Sequence, residues 1–263
     1  MVSRGVPQKQ NVQAGAMLHS IKVWLGAPVV FGRQAGGKSV RNTPERMHLS
    51  LDTSAAALVL HVCWLSILLG LAIQISLLAV SAAFGRGVKL NPLIVDFAQR
   101  ITWSTIVCSS ISVAMAASKM RESFMGLAGL LSASLAFKIA RAVQKGVGAA
   151  LGAAPVVAKG PSPLVLGLIK AVEYGCLAAF LSWIIKRGKG SAAFHAATGL
   201  ATGVLFGAIV LGYTYWTNFQ LFSAADVVSR GLNEVLFPVG CSLVLFATEA
   251  WGKHWKSAAN AAA

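Results

Sequence analysis

Residues 55–84 read AAALVLHVCWLSILLGLAIQISLLAVSAAF, thirty positions without a charged side chain. A helix rises about 1.5 Å per residue, so this run more than covers the roughly 30 Å of hydrocarbon in a bilayer. Only His61, Gln74 and a few serines interrupt it, and Arg86 and Lys89 close it before a restart at Asn91-Pro92. It reads as a transmembrane helix.

Five further apolar segments follow, Ile101–Ala117, Phe124–Val143, Leu164–Ile185, Ala192–Trp216 and Leu232–Trp251. The expected fold class is therefore all-α, a polytopic transmembrane bundle over residues 55–251 with six spanning helices, or five if Phe124–Val143 does not cross. That segment is the weakest because Lys138 leaves 14 uncharged residues ahead of it. A lysine can snorkel to the headgroups, so a full crossing is the preferred reading. The short Lys119–Glu122 turn makes a hairpin of the second and third segments. Pro155, Pro161 and Pro163 preclude a continuous helix through the 146–163 linker. Tyr213, Tyr215 and Trp216 end the fifth segment in an interfacial aromatic cluster.

Composition agrees. The chain is 56% hydrophobic and only 12% charged, too little charge to cover a soluble surface of this size, so lipid is the expected solvent and partner. The net charge of +15 gathers in the N-terminal stretch and in short loops. That is the distribution of the positive-inside rule and not of a nucleic-acid face, so no nucleic-acid partner is expected. Residues 1–54 form a basic arm, with seven Lys/Arg against Glu45 and Asp52, and residues 252–263 a short tail. Within the arm, Met17–Val30 is too short, and too interrupted by Lys22 and Pro28, to span. Initiation at Met47 is an alternative that would remove most of the arm. With six crossings the side holding both termini carries fourteen Lys/Arg and the other side seven. Both termini are thus expected in the cytoplasm of a multi-pass protein of a cell membrane, such as a bacterial inner membrane. Without residues 1–46 the two sides tie.

Most short motifs dissolve on inspection. Gly32–Ser39 satisfies G-x-x-x-x-G-K-[ST], but about 50 residues cannot build the α/β sheet that gives a phosphate loop its meaning, and Pro44 stops any following helix. Cys63, Cys108, Cys176 and Cys241 fall in four different segments, without metal-ligand or redox spacing, and read as small hydrophobes. His61 and His195 lie in apolar surroundings and read as packed neutral rings. Neither a hydrolase elbow nor a zincin helix is present, so no enzyme, metal site or cofactor is assigned.

Three features survive. Lys170 and Glu173 lie three residues apart in the fourth segment, on one helix face, where each charge alone is costly in hydrocarbon. Glu234 lies four residues before Pro238, whose missing N–H frees the Glu234 carbonyl; a helix broken there would offer a carboxylate and a bare carbonyl to a cation. Gly199, Gly203 and Gly207 make a flat stripe on the fifth segment, a close-packing face for another helix. The leading functional reading is a small transporter or permease-like subunit, with Lys170, Glu173, Glu234 and Pro238 on its polar pathway. The competing reading is a non-catalytic scaffold or complex subunit, docking a second copy or another membrane protein through the glycine stripe.

Overall fold

The computed structural model describes residues 45–87, 89–117, 122–152, 161–188, 190–217 and 223–261. Most of the basic arm, including the phosphate-loop-like run, lies outside these residues. The described chain forms six α-helices: α1 Glu45–Ala83, α2 Leu90–Ala117, α3 Glu122–Ala150, α4 Pro163–Lys186, α5 Ala192–Thr217 and α6 Ala224–Ala261. Among the described residues there is no strand, and the all-α expectation holds.

Local chemistry sets several helix ends. Gly85, Gly152 and Gly188 follow α1, α3 and α4 with φ of 65°, 67° and 68°, the left-handed conformation that stops a helix at little cost to glycine. Pro163 opens α4 within its first turn, where the missing N–H costs no hydrogen bond. Each helix packs on the next, α6 returns to α1 to close a ring, and α2 and α4 also reach α6 across the middle.

Five helices are long and apolar enough to cross a membrane, within Ala57–Ala83, Ser123–Ala150, Pro163–Lys186, Ala192–Thr217 and Ala224–Trp251. The outward faces fit a lipid solvent: Leu60, Trp64, Leu68 and Ile75 of α1 are all more than half exposed. These are the features of a multi-pass integral membrane protein. The helix that falls short of these five is not the one its sequence suggests. By length and composition α3 qualifies despite Lys138, which sits on an exposed position of the 29-residue helix. The helix that falls short is α2, 28 residues long but diluted by Asp96, Arg100 and several hydroxyls.

Small residues bring the helices together. On α3, Gly129 faces the Tyr174 carbonyl and Ala178 of α4 so closely that no Cβ would fit, while Ala133, Ala136 and Ala140 are buried. The small-x-x-x-small spacing of these residues is a sequence signal that the glycine stripe of α5 overshadowed. That stripe is used inside the bundle. A Cβ on Gly199 would lie 2.6 Å from the Pro238 carbonyl oxygen, and one on Gly207 2.9 Å from Glu234 Cβ. The proline does not break α6, which runs helical on both sides of it. His195 is buried with its ring tilted on Phe246, and His61 stacks on Trp251 at 4.5 Å, both packed as expected.

Candidate functional site: a charged cluster beneath a one-sided vestibule

Lys170 and Glu173 share a face of α4 because they are one turn apart, and Lys170 Nζ donates to Glu173 Oε2 at 2.7 Å. The same ammonium donates to Oε2 of Glu234, brought by α6 from 64 positions away. One lysine therefore bridges two carboxylates. Their exposures differ in an informative way: the side chains of Lys170 and Glu234 are 13% and 11% exposed, Glu173 is fully buried, and its Oε1 has no hydrogen-bond partner.

Above the cluster lies a cavity of about 620 Å³, walled by α1, α2, α4 and α6 and by Phe137 of α3. Its mouth is at the α1–α2 and α5–α6 end, where Arg86, Lys89 and Arg230 are exposed. Arg86 grips Asp226 with both terminal nitrogens, at 2.7 and 3.1 Å, and also donates to Ser223, tying the α1–α2 connection to the start of α6. The hydrogen bond and charge of Asp226 raise the Arg86 guanidinium further above its already high ordinary pKa, so it is a permanent cation at the rim. From Asp226 to Glu234 is eight residues, about 12 Å along the helix, which places the charged cluster well inside the bundle.

On the walls, Arg100 donates to Asn233 Oδ1 at 2.7 Å and so clamps α2 to α6 next to Glu234, with Asp96 one turn away on α2. Gln74 of α1 is buried against the cavity, with Oε1 lacking a partner. The floor is aromatic. Trp103 meets Tyr174 edge to face at 5.5 Å, and meets Phe137 similarly at 6.4 Å. Below them Val107, Ile111, Leu177, Leu181, Val244 and Leu245 form an apolar plug. The vestibule is thus open at one end of the bundle and sealed towards the other.

Three of the four residues read as a pathway come together. Lys170 and Glu234 line the vestibule and Glu173 backs them. Pro238 does not line it: it is buried one turn deeper, against Gly199 of α5. The Glu234 carbonyl that it leaves free faces α5 as well, 3.1 Å from where a Cβ on Gly203 would sit. The Glu234 carboxylate is instead engaged by Lys170, while the carbonyl abuts Gly203. The glycine stripe and the proline instead form one packing surface that holds Glu234 from behind. Gln74, Asp96, Arg100 and Asn233 were not legible as site residues. The i,i+4 spacing of Asp96 and Arg100, which puts both on one face of a helix, was a usable signal.

No protein-family model matches the chain, and no curated protein or solved structure is significantly similar to it.

Proposed function

We propose that this membrane protein is a small transporter or permease-like subunit, with Lys170, Glu173 and Glu234 on its polar pathway. The observation that carries this reading is the water-sized route from an exposed mouth to ion-paired side chains deep in a bundle otherwise built for lipid. Charge inside a membrane is costly and is found facing pathways or partners. A vestibule open on one side and plugged on the other is the form one half-cycle of alternating access would take. The scaffold reading loses its specific support, since the glycine stripe is occupied by α6. Nothing in the site argues for catalysis, and we read the protein as non-enzymatic.

The positive-inside count puts both termini in the cytoplasm and the vestibule mouth on the opposite face. Reporter fusions after residues 120, 188 and 256 are expected to report cytoplasm, and those after 90, 155 and 225 the other side. Equal reports at 90 and 120 would show that α2 does not cross.

Transport requires the plug to open. In a background with Cys63, Cys108, Cys176 and Cys241 replaced by alanine, Ser229→Cys on the vestibule wall should react with an impermeant thiol reagent from the mouth side. Val244→Cys, in the plug, should react slowly from the opposite side as the protein cycles. Reaction at 229 with complete protection at 244 from both faces would mark a static pocket and overturn the transport reading.

A further inference from the structure

We infer that the Lys170–Glu173–Glu234 cluster is a binding site for one proton, taken up from the vestibule. As the coupling ion of a transport cycle the proton rests on the reading above; as a bound proton it does not. The argument is one of charge and geometry. A single ammonium faces two carboxylates, so the fully ionised cluster carries one negative charge too many. Glu173 is wholly buried and its Oε1 lacks any hydrogen-bond donor, a condition that an ionised oxygen tolerates poorly.

Lys170 is the cation that the structure places in contact with both carboxylates. From α2 come Arg100, already beside Asp96, and the thiol of Cys108; from α6, besides Glu234, the thiol of Cys241 and, one turn towards the mouth, Arg230 at an exposed position. Tyr174 is the adjacent group on α4 itself. On α3, Lys138 is exposed and Arg141 sits over Phe137. On α5, His195 packs on Phe246, and Tyr213 and Tyr215 lie near the helix end. The described side chains of α1 bring Gln74 to the cavity, and its His61 stacks on Trp251. A metal cation is a poor substitute, because the ammonium already stands between the carboxylates and no group of three His, Cys, Asp or Glu among the described residues could hold one.

One proton makes the cluster neutral in either of two arrangements. On Glu234, it leaves the Lys170–Glu173 ion pair; on Glu173, it leaves the Lys170–Glu234 pair. Only Glu234 lines the vestibule, so a proton arriving from vestibule water enters there and is withdrawn from water when it passes to Glu173. The passage needs only that Lys170 change the carboxylate it favours, and both are within its reach.

Charge balance fixes a count that infrared spectroscopy can read. With isotope-labelled glutamate, the purified full-length protein at neutral pH should show the carbonyl stretch of one protonated glutamic acid. Glu173→Gln and Glu234→Gln should each abolish it, because each leaves a neutral Lys–Glu pair. Lys170→Met should double it. The wild-type band needs no variant to fold, and the two glutamines are near-isosteres of what they replace. A wild type without a protonated glutamate, or a band that survives both glutamine substitutions, would overturn the inference. The count is read at rest, so its failure leaves the opening of the plug at Val244 untouched. Conversely, a plug that never opens sinks transport and not the proton.

Discussion

Lys170→Met is expected to be the most damaging single substitution in the bundle, destabilising it by about 3–5 kcal/mol, the range for breaking a buried ion pair by deleting one partner. Two carboxylates would then face each other without a cation, so the loss should deepen as pH rises and shrink as protons neutralise them. Read from sequence alone, Lys170 and Glu173 are a pair, and removing Glu173 as well should restore most of the stability. The structure changes that expectation. Glu234 also depends on Lys170, so Lys170→Met with Glu173→Leu should recover only part of the loss, and the addition of Glu234→Gln most of the remainder. Unfolding in detergent across a pH series, for the single, double and triple variants, measures this directly. Full recovery by the double variant would mean that Glu234 is not coupled to the cluster.

The second large effect is expected at Gly199. A methyl there meets three atoms at 2.6 Å, the Pro238 oxygen, Val239 Cα and Ser242 Oγ, two of which are backbone. The backbone cannot step aside as a flexible side chain would, so Gly199→Ala should cost about 1–3 kcal/mol and displace α5 from α6. Gly212, on the same helix, has open space where its Cβ would be, and Gly212→Ala should be neutral or slightly stabilising. Thermal unfolding of the two variants side by side separates packing from helix propensity. Equal stabilities would mean that the stripe does not carry the α5–α6 contact.

Much of the architecture was legible because the bilayer imposes it. Charge-free runs such as 55–84 can become little other than membrane helices, and the Pro-rich linker could only interrupt them. Helix margins were less legible, since α2 and α6 extend well beyond their apolar stretches, to Leu90 and Ala224. Hydropathy marks where lipid begins and says nothing of where backbone hydrogen bonding ends. For the site, the rarity of buried charge singled out Lys170, Glu173 and Glu234, but their meeting depends on how α4 is rotated against α6, which one-dimensional spacing does not encode. The position of Pro238, buried behind the vestibule, depends on the same rotation. Its freed carbonyl was foreseeable, but its direction towards Gly203 was not.

The central claim is that Glu234 stands at the bottom of a water-filled vestibule that opens on one face only. Glu234→Cys, in a background lacking the four native cysteines and reconstituted into sealed vesicles of known orientation, tests it. An impermeant maleimide added on the mouth face should modify position 234, and the same reagent added only on the opposite face should modify it far more slowly. Absence of modification from either face, or equal modification from both, would contradict the vestibule and with it the functional account.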